Sequence, residues 1–233
     1  MVNKNRIRNL ISVKDQTAFN FNLIVVRHAE SVANTKGIFQ GQTYDTDLSK
    51  LGAKQAEALA QKLKNKGIRK IIASPLKRTY QTAFELSKLT GIPIETDLKI
   101  IETNHGIWEG KDKRWIGNNF SDLYKLWMEK PSLVQFPEGE HFLDTIKRVE
   151  NFFTINFFNE NTLIVTHDNI VRIMASLADG RMFDKIWDFR VEPAAINYFV
   201  LARSYGKNRL KVLKLNETGH LKNLQSNTNS HAL

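Results

Sequence analysis

The sequence contains no cysteine. That excludes disulfides, thiolate metal sites and a cysteine nucleophile, and it is compatible with a reducing compartment. No apolar run approaches the ~20 residues of a membrane span, and residues 1–20 carry no apolar core of the kind a secretory signal needs. A cytoplasmic chain with no membrane partner is therefore expected. Proline is scarce, at 5 of 233 residues, and there is no internal repeat, low-complexity stretch or clear linker. No glycine-rich nucleotide loop with its lysine is present. The length suits one α/β domain with a sizeable core.

Positive charge is the one excess, at +10 overall. Residues 1–20 hold Lys4, Arg6, Arg8 and Lys14 against Asp15, and residues 203–233 hold Arg203, Lys207, Arg209, Lys211, Lys214 and Lys222 against Glu217. Positions 21–202 are left with only +2. Phosphate-backbone binding needs a clustered basic surface, so no dedicated nucleic-acid role is expected.

The most informative stretch is Phe21-Asn22-Leu23-Ile24-Val25-Val26-Arg27-His28. Its apolar, β-branched run has the length of a buried parallel strand, and polar residues follow at once. In an open α/β sheet, sites form beyond the carboxyl ends of the strands. A long polar loop over about 28–48 comes next, and loops of that length are usually functional. Ser49 reads as the N-cap of a helix to about Asn65, with Ala53, Ala56, Leu59, Ala60 and Leu63 at helical spacing. Lys70–Ala73 reads as a second strand, followed by a helix with Pro75 in its first turn that runs to about Leu89. A third strand begins at Pro93-Ile94-Glu95. Helices are expected over about 119–129, 140–157 and 168–178, with another near 182–188. Thr162–Thr166 is a further buried strand, and 195–203 with 210–215 form a hairpin. Alternating strands and helices predict an α/β three-layer sandwich, a mainly parallel sheet with helices on both faces.

Three strand ends then carry useful chemistry: Arg27 and His28, Arg78 after Ser74, and His167. Glu102 follows the third strand. A phosphate ester needs positive charge and donors around its nonbridging oxygens. It also needs an in-line nucleophile and an acid for the leaving oxygen. Arg27, Arg78 and His167 can supply charge, Asn34 an amide, His28 the nucleophile and Glu102 the acid. Taken singly, each has a blander reading: a capped loop histidine, a loop-stabilising Asn34, a surface Glu102.

Together these residues resemble the histidine phosphatase superfamily, which includes phosphoglycerate mutases and many phosphatases. The resemblance runs through Arg27-His28-Ala29-Glu30-Ser31 with Asn34, through Gly37–Gln42 with Gln40 and Gly41, and through Asp47–Ala56. It continues in Ser74–Ala83, Glu102 with Gly106–Gly110, and Val165–Asn169. It covers about residues 21–200, and five weak motifs in this order make a specific signal. It implies that His28 becomes a phosphohistidine and that Arg27, Asn34, Arg78 and His167 hold the phosphoryl oxygens. It implies that Glu102 protonates the leaving group and then helps water attack, with Gln40 and Gly41 in the substrate-binding loop. No metal and no cofactor are implied, and the expected partner is a small phosphorylated substrate.

The expected organisation is a basic arm over 1–20, the phosphatase domain over 21–215, and a polar, frayed tail over 216–233. Glu102 and His167 lie only 65 positions apart, which together with the Gly37–Gln42 loop favours a phosphatase over a mutase. An inactive phosphate-binding module is the remaining alternative. Three departures stand out: Ala29 where glycine is usual, His141 where serine is usual, and Asp168 where glycine is common. A carboxylate at 168 would repel substrate unless it bonds an arginine. His105 is expected to be an exposed loop residue and His220 and His231 to be solvated. Trp108 and the Phe120–Trp127 stripe are read as core, and His141 as either a helix start or a substrate contact. The rate is expected to be bell-shaped in pH, centred near neutral or on its acidic side.

Overall fold

The structure is a computed structural model that describes residues 19–156, 158, 160–204 and 207–227. The element order is β1 (Phe19–Arg27), α1 (Val32–Thr35), α2 (Lys50–Leu63), β2 (Lys70–Ala73), α3 (Lys77–Thr90), β3 (Ile94–Thr96), α4 (Lys113–Asn119), α5 (Ser121–Glu129), α6 (Phe142–Ile155), β4 (Thr162–Thr166), α7 (Asp168–Asp179), β5 (Ile196–Ser204) and β6 (Lys207–Glu217). Short 3₁₀ turns lie at Leu98–Ile100, Gly106–Trp108, Pro131–Leu133 and Phe183–Asp188.

Six strands form one sheet in the order β3-β2-β4-β1-β5-β6. β3, β2, β4 and β1 run parallel, and β5 and β6 add antiparallel at one edge. The period-2 pattern of β1 explains the layering. Leu23 and Val25 enter one core with Ile164 of β4, Phe152 of α6 and Ile173 of α7. Ile24 and Val26 enter the other, with Leu59 and Leu63 of α2 and Ala83 and Leu86 of α3. Both faces are covered, so the strands must be apolar throughout.

Local signals set most boundaries. Ser49 caps α2 by accepting from Gly52 N, and Gly91 closes α3 with φ +71°. Other boundaries moved. Pro75 precedes α3 instead of opening it, because Leu76 is the residue before the first helical turn. The expected helix over 119–129 is α5, which starts at Ser121 after a break at Phe120 (φ −140°, ψ 44°); a helix that was not expected, α4, precedes it, with an Asp112 cap that accepts from Trp115 N. Trp108 and Trp127 are fully buried, and Phe120, Leu123 and Tyr124 pack on the same core, so that stripe is core.

The chain ends differ from expectation. β1 begins at Phe19, so the strand takes in the last two positions assigned to the basic arm; residues 1–18 lie outside those described. β6 continues to Glu217, and Leu221 is buried. His220 is half-buried, and burial lowers its pKa, so it is not the solvated residue expected; His231 lies outside the described residues. Positions 205–206, within the expected hairpin turn, are also outside them.

Candidate active site

Register alone brings the two histidines together. Arg27 of β1 pairs with Thr166 of β4, so the next residues, His28 and His167, leave adjacent parallel strands side by side. His28 N donates to Thr166 O at 2.8 Å, and the two rings meet edge to face with centroids 5.4 Å apart. β2 lies on the other side of β4, where Ser74 N donates to Val165 O. Ser74 Oγ meets His167 Nε2 at 2.7 Å. The His28 Nδ1–H donates to Ala29 O at 2.8 Å, which fixes the tautomer and leaves the Nε2 lone pair for chemistry.

Arg78, in the first turn of α3, is fully buried. Its Nε donates to His28 Nε2 at 3.3 Å, its Nη1 to Asp45 at 3.0 Å and its Nη2 to Gly41 O at 3.0 Å. Arg27 Nη1 donates to Asp168 at 2.9 Å and to Val191 O at 2.8 Å. Asp168 also takes Arg172 Nε at 2.7 Å. The carboxylate at the departed position is thus held between two arginines, and it sits in the first turn of α7, where the helix dipole favours it. Burial lowers the pKa of both Arg27 and Arg78, opposed by Asp168 and Glu102 respectively; guanidinium groups stay charged regardless. Among the described residues, Arg27 Nε and His167 Nδ1 are buried without a hydrogen-bond partner. An anion at the strand ends would satisfy such groups.

Arg27, His28, Asn34, Ile38, Gln40, Arg78, Glu102 and Asp168 line one cavity of about 300 Å³. His167 stands behind His28 and is not part of that lining. Gly41 is not either; it enters through its carbonyl on Arg78. Asn34 is both loop stabiliser and wall. Its Oδ1 accepts from Ser31 N and Ser31 Oγ in a capping box, which leaves its amide nitrogen for an anion. Gln40 donates to Ser31 Oγ at 2.8 Å.

Glu102 is 4% exposed. Burial raises its pKa to about 7, assisted by Asp168 and opposed by the Thr103 N–H and by Arg78 and Arg148. A carboxyl that keeps its proton near neutral pH is what a general acid requires. His167 is driven the other way: burial, then Arg78 and His28, hold it well below the usual histidine range.

The model of the histidine phosphatase superfamily (branch 1) matches residues 23–218. The chain belongs to the histidine phosphatase superfamily. Phosphoserine phosphatase 1 of Hydrogenobacter thermophilus is 36% identical over 202 residues, 85% of this chain and 93% of the relative. Two solved structures share the fold. Bacillus stearothermophilus YhfR has a TM-score of 0.76 at 23% identity, covering 86% of this chain and 99% of that one. The alpha-ribazole phosphatase from Shigella flexneri has 0.74 at 24%, covering 84% and 96%. By enzyme class this histidine phosphatase is a phosphoric monoester hydrolase.

Several residues that organise the pocket of this phosphatase were read differently, or only in part, from the sequence. His105, expected to be exposed, is fully buried. Its Nδ1 donates to Gln40 O at 2.6 Å, and its Nε2 accepts from Asn169 at 3.2 Å, tying the Gln40 loop to α7. Arg148 of α6 donates to the carbonyls of Lys99, Ile101 and Glu102 and is paired with Glu140; it fixes the backbone that carries Glu102. His141 is the helix start: it caps α6 by accepting from Leu143 N.

Glu109 is the anchor of the 41–44 loop. It accepts from the backbone N–H groups of Gln42, Thr43 and Tyr44, from Thr43 Oγ1, and from His105 N. Gly41 has no side chain because a Cβ there would overlap the Glu109 carboxylate. Gly41→Ala should therefore push the loop away from Arg78 and raise KM roughly tenfold, the scale of one misplaced charge-assisted hydrogen bond. Steady-state kinetics on an aryl phosphate check this; an unchanged KM would show that Glu109 swings aside freely.

No helix among the described residues is long and apolar enough to cross a membrane.

Proposed function

We propose that this enzyme hydrolyses a small phosphomonoester through a phosphohistidine on His28, without a metal ion. The observation that carries the reading is the pairing of two opposed groups in one small cavity. The His28 Nε2 lone pair meets the guanidinium of Arg78, and the same cavity is lined by a Glu102 carboxyl that holds its proton to about pH 7.

In the first step His28 Nε2 attacks phosphorus and forms the P–N bond. The P–O bond to the leaving group breaks, and the leaving oxygen takes the Glu102 proton. Arg27, Arg78, Asn34 and His167 stabilise the three nonbridging oxygens, with charge and donors already in place. The Nε–H of Arg78 must pass from His28 to a phosphoryl oxygen, which frees the nucleophile as substrate enters. The incoming dianion favours protonated His167. In the second step Glu102, now a carboxylate, takes a proton from water. The hydroxyl attacks phosphorus, the P–N bond breaks, and phosphate leaves with Glu102 reprotonated. Gln40 and the Gly41 carbonyl hold the loop that closes over the phosphoryl group.

The small polar cavity takes the phosphoryl head group, and the rest of the ester lies outside it. The relative named a phosphoserine phosphatase makes phosphoserine the first ester to test, beside sugar phosphates, phosphoglycerates and nucleotides. Phosphate release in excess chelator is the experiment. The reading expects release that persists with chelator and that outruns phosphoryl shift on 3-phosphoglycerate. Activity abolished by chelator would refute the metal-free mechanism, and phosphoryl shift faster than release would make the enzyme a mutase.

A further inference from the structure

The segment over 218–227, which reads as a polar tail, is packed against the back of the nucleophile loop. Leu221 is 1% exposed and joins a small cluster with Ala29, Ala56 and Ala194, flanked by Leu48 and Leu224. Ala29 is the residue after His28, at the position where glycine is usual in the resemblance. Its methyl fills this cluster. Ala194, in turn, donates its N–H to the carbonyls of Arg27 and His28.

One side chain reaches both the segment and the loop. Gln55 of α2 is fully buried. Its Nε2 donates to Leu224 O at 2.8 Å and to Ser226 Oγ at 2.9 Å, while its Oε1 accepts from Glu30 N at 2.9 Å. A glutamine amide has a donor side and an acceptor side, and here each is used on a different element. The backbone at Ala29 is held from the opposite direction, its N–H donating to Thr82 Oγ1 at 3.0 Å. The His28 loop is therefore clamped between α3 and the C-terminal segment.

We propose that residues 218–227 form a strap that sets the position of His28, with Gln55 and Leu221 as its positioning residues. Neither residue touches the phosphate cavity. The inference rests on His28 being the nucleophile and adds that its geometry is set from the far end of the chain. The in-line attack it serves is sensitive to displacements of about 1 Å, which can cost a hundredfold in rate. Phosphate capture by Arg78 is held in place instead by Asp45 and the Gly41 carbonyl.

The test uses full-length point variants: Leu221→Ala, Gln55→Met, and Leu63→Ala as a control. Leu63 lies on α2 in the core on the other side of the sheet from α6 and α7, away from the His28 loop. All three are measured for Tm, kcat and the Ki of inorganic phosphate. Leu221→Ala and Gln55→Met are expected to lower kcat tenfold or more while Ki for phosphate stays within about twofold. Leu63→Ala should lower Tm comparably and leave kcat nearly unchanged. The proposal is overturned if, at matched Tm loss, the strap variants lose no more kcat than the control, or if Ki rises in step with the loss of kcat. Should Leu221→Ala not fold, Leu221→Val takes its place with the same expectation. Labelled phosphate trapped on His28 of the unaltered enzyme, together with full kcat in both strap variants, would refute the strap alone. Absence of that label would refute the nucleophile reading instead.

Discussion

His28→Ala is expected to lower kcat on the order of 10⁴-fold or more while the protein stays folded and still binds inorganic phosphate. The size follows from the geometry. His28 turns its Nε2 lone pair to the cavity through a tautomer fixed by the Ala29 carbonyl, and a covalent route through it is lost without it. The binding groups remain: Arg78 keeps Asp45 and Gly41, and Arg27 keeps Asp168. A variant that lost activity and phosphate affinity equally would place His28 among the binding groups. Residual activity near wild type would exclude it as nucleophile. His167, its ring centroid 5.4 Å from that of His28 and outside the lining of the cavity, is not placed to replace it.

Glu102→Gln is the second large effect, and it depends on the substrate. For an alkyl ester, whose leaving oxygen needs a proton, kcat should fall by about 10² to 10⁴-fold. For an aryl ester with an acidic leaving group the first step should be nearly unaffected. The pH dependence has a definite sign. With its pKa near 7, Glu102 is protonated below that pH and competent as acid; above it, alkyl ester hydrolysis should decline. Glu102→Gln should remove the alkaline decline.

Stability should move with it. The folded pKa lies above the unfolded value of 4.5, so the favourable contribution is complete below pH 4.5 and lost as pH rises through about 7. The shift corresponds to about 3 kcal/mol by linkage. Glu102→Gln should therefore be the more thermostable form on the alkaline side of 7. An alkaline decline that persists in the variant would assign it to another group.

The fold was legible where chain chemistry is local. The alternating faces of β1, the Ser49 cap, the polar residues at each strand end and their order along the chain led to the sheet, to the helices on both faces and to the pocket residues. What was not legible are partnerships over long separations. Ser74 and His167 are 93 positions apart and meet only through the β2–β4 register. His105 lies between Asn104 and Gly106 and reads as exposed loop, yet it is buried among Phe39, Trp127 and Phe136. Asp168 looked repulsive until its two arginines were in place. The strap carried a faint signal: Leu221 and Leu224 are three apart in a polar stretch, too few to mark an element but enough to fill a small cavity behind Ala29.

The central claim is a covalent bond between His28 and the phosphoryl group. It is tested most directly by mixing enzyme with radiolabelled ester, quenching in alkaline denaturant, and following the label on the protein. The expected label survives alkali, is released by acid, and is absent from His28→Ala. Label stable to acid, label retained in that variant, or turnover with no labelled protein on a rapid-quench timescale would contradict it.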